Sequence, residues 1–259
     1  MELSLKGKTA LITGSYRGTG AGIASCLATE GAKVFIHGFK AGDADEVSER
    51  IIAQGGMAEP INVDLFSDDG ISQLHDAVSD IDILINNYGT PSGSSWASAV
   101  NWSEEWEKNV LLGVKVTQAF LAGMKEHNWG RIVFVGTVGV NKPSTHSPGY
   151  YGAKASLHAI VRTLAKELRG TGITANVVNP GMIATSEVRE MLTQAAKKRN
   201  LDTDWDSVQK WAAEKYMPNL TGRLPDPNDI GKIISFLASE PAWYINGASI
   251  AIDGGSVDA

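Results

Sequence analysis

Apolar and polar positions along the chain fall into two alternating periods. Short β-branched runs at Thr9–Thr13, Lys33–His37, Ala58–Val63, Ile83–Asn86, Arg131–Val135, Thr174–Val178 and Ser249–Ile252 are separated by longer stretches with helical spacing of apolar residues. Several of the runs are apolar almost without a break, as expected of strands covered on both faces of a parallel sheet. The helical stretches are Ala21–Glu30, Asp45–Gln54, Ser67–Val78, Ser103–His127, Tyr150–Arg169 and Asp229–Ala238, and Gly31, Gly55 and Gly170 stand where three of them should stop. Strands alternating with crossover helices predict one α/β domain built on a doubly wound, seven-stranded parallel sheet. Thr185–Leu224 breaks the rhythm. It is longer than an ordinary connection and carries Met191, Trp205, Trp211, Tyr216 and Met217, which marks it as a substrate lid inserted before the last helix and strand.

Composition narrows the function. With 259 residues, 43% hydrophobic and 20% charged, the chain is ordinary globular material, long enough for one large domain. A net charge of −6, with no basic run longer than Lys197-Lys198-Arg199, provides no surface for nucleic acid. Cys26 is the only cysteine and falls among Ile23, Leu27 and Ala28, so it reads as a small buried hydrophobe. No apolar run approaches a membrane span and no secretory pattern opens the chain, so a cytoplasmic protein without membrane contact is expected. His37, His75, His127, His146 and His158 lie at no metal-ligand spacing, so no metal is expected.

The first strand runs directly into Gly14-Ser15-Tyr16-Arg17-Gly18-Thr19-Gly20 and then a helix. Glycines allow a tight turn and close backbone approach, while the free N–H groups of the helix face an anion, as in a Rossmann-type pyrophosphate site. Tyr16, Arg17 and Thr19 join Gly14, Gly18 and Gly20 as candidate cofactor contacts. About 20 residues on, sites for NAD usually carry an acidic residue at the end of the second strand. Here that place holds His37-Gly38-Phe39-Lys40, and the nearest acids, Glu30 and Asp43, flank it. With Arg17 and Lys40 available to pair with a 2′-phosphate, and His37 and Phe39 beside them, the site reads as preferring NADP(H) over NAD(H). Tyr150 and Lys154, at i and i+4, share one helix face, and an ammonium beside a phenol favours phenolate. Thr137, 13 residues earlier at a strand end, offers a hydroxyl to the same reacting oxygen.

Thr13-Gly14-x-x-x-Gly18-x-Gly20, Asn86-Asn87-Tyr88-Gly89, Asn109, Thr137, Tyr150-x-x-x-Lys154, Asn179-Pro180-Gly181 and Asp253-Gly254-Gly255 together resemble the short-chain dehydrogenase/reductase family over essentially the whole chain. Within it the resemblance is to the compact branch that includes 3-oxoacyl-carrier-protein reductases. It implies an oxidoreductase that interconverts a ketone and a secondary alcohol by hydride transfer, with Tyr150 as general acid/base. Lys154 would lower the Tyr150 pKa and bond the nicotinamide ribose. Asn109 would hold a water of the proton relay, and Thr137 would stand for the usual serine. Asn87 and Gly89 would flank the cofactor, Asp64 and Leu65 would contact adenine, and Pro180, Gly181, Ile183 and Thr185 would cradle the nicotinamide. A homotetramer through the fourth and fifth helices is implied as well.

Three positions depart from the family pattern. Thr137 keeps the hydroxyl and adds a methyl that stiffens χ1. Tyr88 replaces an alanine and should narrow the cleft, while Gly136 replaces a common serine and suggests close packing. Two other functions stand against the reductase. A catalytically silent NADP(H)-binding sensor would not need the competent set Asn109, Thr137, Tyr150 and Lys154, and an epimerase or dehydratase generally needs a larger substrate region. The small-molecule substrate itself is not encoded legibly, because specificity in this architecture comes from Ser92–Ala99, Gly139–Gly149 with His146, and the long insertion.

Overall fold

The alternation of apolar strands and amphipathic helices is realised in a computed structural model that describes residues 3–256. The strands are β1 (Thr9–Ile12), β2 (Lys33–Gly38), β3 (Met57–Asn62), β4 (Ile83–Asn86), β5 (Gly130–Val135), β6 (Ile173–Pro180) and β7 (Ser249–Ile252). They form one sheet in the order β3-β2-β1-β4-β5-β6-β7, with every pair parallel. The helices are α1 (Gly18–Thr29), α2 (Asp45–Ala53), α3 (Gly70–Val78), α4 (Val100–Trp106), α5 (Leu112–Glu126), α6 (Pro148–Glu167), α7 (Ser186–Lys197), α8 (Trp205–Trp211) and α9 (Pro227–Leu237). This is the expected doubly wound fold.

Side-chain alternation explains the near-continuous apolar strands. Ala10, Ile12, Val34, Ile36, Ile83, Ile85, Val133 and Val135 point to one face and meet α1, α2 and α9. Leu11, Phe35, Leu84, Ile132, Phe134 and Val177 point to the other and meet α3, α5 and α6. On the first face α1 and α9 cross almost backbone to backbone. A Cβ on Gly22 would lie 2.5 Å from Pro227 Cβ, and one on Gly231 would lie 2.7 Å from Cys26 Sγ. That contact fixes the axis of α1 and hence the aim of its N-terminus. Cys26, expected to be buried, is only half-buried at the edge of this crossing, and its Sγ donates to the Asn228 carbonyl at 3.4 Å.

Three boundaries differ from the sequence reading. The helix expected over Ser103–His127 begins at Val100 and is interrupted by a π-helical turn, Glu107–Leu111, between α4 and α5. The helix expected from Ser67 begins at Gly70, because the Asp64 carbonyl accepts both the backbone N–H and the hydroxyl of Ser67 and holds a turn there. The stretch from Thr185 to Leu224 is largely helical. It folds α7, α8 and a second π turn (Ala212–Tyr216) around a small core of its own, formed by Leu192, Ala196, Val208 and Ala212. Thr185 and Asp204 cap its helices by accepting the Val188 and Ser207 N–H groups. Among the described residues, no helix is long and apolar enough to cross a membrane.

The α1–α9 crossing predicts a specific cost. Gly22→Val should lose about 1–3 kcal/mol of stability through overpacking. The loss would be read as a lower urea midpoint with an unchanged slope.

Candidate active site

Chain reversal between β1 and β4 opens a crevice at the carboxyl ends of the strands, where ligands bind in open α/β sheets. Leaving β1, the chain turns at Gly14 (φ +61°) and again at Gly18 (φ +54°), both in the left-handed region that suits glycine. The turn is fastened from three sides. Thr13 Oγ1 accepts the N–H groups of Asn87 and Tyr88 at 3.1 Å each, and Asn87 Nδ2 donates to the Thr13 and Gly14 carbonyls at 2.9 and 3.2 Å. From beneath, His37 Nδ1 accepts the Gly14 N–H at 3.0 Å, and its Nε2 reaches the Val63 carbonyl at 2.9 Å. These partners require the Nε2–H tautomer. Helix α1 then starts with no side-chain cap and no acidic residue in its first turn, so its free N–H groups and positive end face the crevice.

The crevice is a cleft of about 780 Å³. It is lined by Gly14, Tyr16, Arg17, Gly18, Thr19, Gly20, Phe39, Lys40, Asn87, Gly89, Thr137, Tyr150, Lys154, Pro180, Gly181, Ile183 and Thr185, all candidates from the sequence. Four candidates do not line it. His37 is fully buried under the glycine turn and shapes the floor instead of touching a ligand. Leu65 is a core residue, and Asp64 turns its carboxylate to the Phe66 N–H. Asn109 is buried one layer behind the wall. The structure adds Asp43, Tyr88, Thr90, Val135, Gly136, Glu187 and Val188 to the lining. Asp43 could have been found from its spacing, since its Oδ2 accepts the Phe39 and Lys40 N–H groups at 3.1 and 2.9 Å and so closes the β2–α2 turn. A carboxylate therefore stands beside Lys40 after all. Glu187 carries no motif. It reaches across to Arg17 at 3.3 Å, an exposed pair worth little to stability.

Tyr88 packs against the glycine turn and against Phe39, with ring centroids 4.6 Å apart, and Phe66 completes the aromatic wall. Gly136 is explained by space. A Cβ there would lie 2.2 Å from Asn179 Oδ1, so a serine cannot be accommodated without movement.

At the other end, α6 presents Tyr150 and Lys154 on its cleft-facing side, and Thr137 ends the segment after β5 with its hydroxyl accepting the Gly139 N–H. Lys154 Nζ donates to the Val135 carbonyl at 2.8 Å. Asn109 sits in the π turn. Its Nδ2 donates to the Thr90 and Glu105 carbonyls at 3.0 and 2.9 Å, and its Oδ1 is buried without a partner. Gly89 permits this approach, since a Cβ on it would lie 2.5 Å from Lys154 Nζ and 2.7 Å from Asn109 Oδ1. Burial, then Tyr151, then Glu105 push the Tyr150 phenol up to about 12. Burial also pushes Lys154 down to about 8. Desolvation is the first cause of both shifts.

The sequence pattern of the short chain dehydrogenase family matches residues 8–196. The chain belongs to this family. Its relatives include an uncharacterized oxidoreductase, YvaG, of Bacillus subtilis, 34% identical over 99% of this chain and 98% of the relative. The 3-oxoacyl-[acyl-carrier-protein] reductase FabG of Aquifex aeolicus is 32% identical over 98% of this chain and 99% of its own length. Among solved structures, L-sorbose reductase from Gluconobacter frateurii, complexed with NADPH and L-sorbose, superimposes with a TM-score of 0.90 at 27% identity over the full length of both chains. The short chain dehydrogenase fold implies a nicotinamide dinucleotide, and the residues present fit one. A Cβ on Gly20 would lie 2.6 Å from Asn87 Nδ2, so the cradle tolerates no side chain there, and the bare helix N-terminus behind it suits phosphate.

The buried histidine makes the turn sensitive to acid. Desolvation holds His37 at a pKa of about 4, below its ordinary 6.5, so it is neutral in the fold and protonates first in the unfolded chain. Stability from this group is complete above about pH 6.5 and declines as pH falls to about 4, by about 3 kcal/mol in total. His37→Gln should be less stable than wild type at pH 7. It should also lose less stability between pH 6.5 and 4 in urea titrations.

Proposed function

We propose that this short chain dehydrogenase is an NADP(H)-dependent oxidoreductase that interconverts a ketone and a secondary alcohol, with Tyr150 as the general acid/base. The observation that carries the reading is that Tyr150, Lys154 and Thr137 share one cleft with a side-chain-free phosphate cradle. The bound nicotinamide supplies or takes up the hydride. Tyr150, a phenol across neutral pH, donates its proton to the substrate oxygen during reduction. The Thr137 hydroxyl holds the same oxygen, Lys154 orients the ribose, and Asn109, whose buried Oδ1 has no partner among the described residues, holds a water of the proton relay. Alcohol oxidation needs the phenolate and rises with pH for the same reason.

Arg17 and Lys40, both at the adenosine end, support NADP(H) over NAD(H), as does the NADPH held by the sorbose reductase of this fold. Asp43 opposes them, but its Oδ2 is occupied by two backbone N–H groups. Residues Thr185–Leu224, with Trp205 and Trp211 packed against the small core and Met191 exposed, close over the substrate as a lid. The expected homotetramer would form through the α4–α5 segment and α6, and Val100, Trp106 and Leu111, exposed on the first of these, support it. The intact reaction centre argues against a silent nucleotide sensor.

The test is NADPH and NADH oxidation by the purified protein against β-keto esters, diketones, cyclic ketones and sugar ketones. Tyr150→Phe should keep cofactor binding and lose kcat about 100-fold or more. Undiminished turnover in that variant would remove Tyr150 from the chemistry. Lys40→Ala should weaken NADPH about 10-fold, the value of one charge-assisted contact, and leave NADH unchanged. Asp43→Asn should move the preference further toward NADPH, and an equal change for both cofactors would place the two residues outside phosphate recognition.

A further inference from the structure

Behind the reaction centre lies a carboxylate that the scheme above does not use. Glu105, on α4, is fully buried, and among the described residues it makes no ion pair. Its Oε1 accepts the Ser92 N–H at 2.7 Å and, more weakly, the Ser94 N–H at 3.4 Å. Its Oε2 accepts Asn109 Nδ2 at 3.2 Å. Ser94, also buried, accepts the Gly149 N–H on its hydroxyl at 2.9 Å, one residue before Tyr150. One side chain thus ties three pieces together: the loop at 92–94, the asparagine of the π turn and the N-terminal turn of α6.

The tie has a chemical sense. The Asn109 NH₂ group is shared among three acceptors that cannot donate, the Thr90 and Glu105 carbonyls and the Glu105 carboxylate. The oxygen of that amide is therefore turned the other way, toward the space beside Gly89 and Lys154 Nζ. A buried charge without a cation is expensive to keep, and N–H donors alone offset its cost here. The titratable groups facing Tyr150 are Tyr151 and Lys154 of its own helix and Glu105 from α4, while Lys108, beyond Ser92, pairs with Glu104.

We propose that Glu105 is a positioning residue of the reaction centre, its carboxylate holding together the Asn109 amide, the loop at 92–94 and, through Ser94, the turn of α6 that seats Tyr150. The proposal rests on Tyr150 being the acid/base group. A negative charge nearby raises a phenol's pKa, so removing it lowers the pH at which Tyr150 ionises.

Glu105→Gln keeps shape and acceptor oxygen but deletes the charge, and its amide can face Asn109 either way. The first measurement is the titration of Tyr150 in the ligand-free protein by NMR of ¹³C-labelled tyrosine, with the resonance assigned by its loss in Tyr150→Phe. The midpoint should lie lower in Glu105→Gln than in the wild type, by about half a unit or more, because a negative charge beside the phenol is removed. The second is the pH profile of alcohol oxidation. Its ascending limb should move down by the same amount, with kcat reduced about 10-fold at the plateau and the KM for the cofactor within about twofold of wild type. A resonance and a limb that stay in place, with only the melting temperature lowered, would show a scaffold residue and overturn the proposal. Glu105→Met, uncharged and of similar volume, replaces Glu105→Gln if the latter does not fold, and failure of both to fold would also assign the residue to the scaffold. Full turnover by Tyr150→Phe would overturn the acid/base reading instead. The resonance shift would then remain a direct measure of the charge alone.

Discussion

The site depends on backbone and side chains meeting where there is no room for a Cβ. At Gly20 the helix N-terminus touches the Asn87 amide and the Gly14 carbonyl, and at Gly89 the floor touches Lys154 and Asn109. The first contact leaves the bare N–H groups of α1 facing the cleft, and the second sets Asn109 beside Lys154 in the wall that also holds Tyr150. Both follow from β1 and β4 being neighbours in the sheet, with the Asn87–Thr13 hydrogen bonds holding the two strand ends together. The α1–α9 crossing secures the same geometry from the other side of the helix. A methyl group at either glycine would therefore disturb recognition and chemistry without removing any functional side chain.

The second unifying feature is desolvation. It holds His37 near 4, Lys154 near 8 and Tyr150 near 12, so each group is biased to its neutral form. For His37 this fixes a tautomer that can accept from Gly14 and donate to Val63. For Tyr150 it fixes the acid needed for reduction. Both Tyr150 and Lys154 line the cleft, and for each of them burial is the first cause of the shift.

What was legible in the sequence was whatever depends on period and on short-range chemistry. The strands, their parallel order, the glycine turn, the Tyr150–Lys154 face and most of the cleft lining follow from residues close together in the chain. What was not legible depends on contacts between distant segments. His37 looked like a cofactor contact because it ends the second strand, yet the strand's last inward position points beneath the turn. Asp43 seemed to flank the site, and a hydrogen-bonded turn brings it into the wall. Asp64 and Leu65 are not among the residues that line the cleft, since Leu65 packs into the core and Asp64 accepts the Phe66 N–H on its carboxylate. The π turn around Asn109 has no compositional signal, since it inserts no glycine or proline.

That π turn also explains why Glu105 escapes a linear reading. In the sequence Ser103-Glu104-Glu105-Trp106 it is one of two adjacent acids on a helix, and helical spacing would place either in solvent. Glu104 does go to solvent and pairs with Lys108, whereas Glu105 is turned inward. The widened turn rotates the following residues, so that Asn109 folds its side chain back to the Glu105 carbonyl and carboxylate together. An apolar residue at 105 would fill the same volume and leave the Ser92 and Ser94 N–H groups without their buried acceptor. The loop that those groups belong to is also the loop that reaches Gly149. The carboxylate thus joins the Asn109 amide to the segment that seats Tyr150, through hydrogen bonds that all start from one buried side chain.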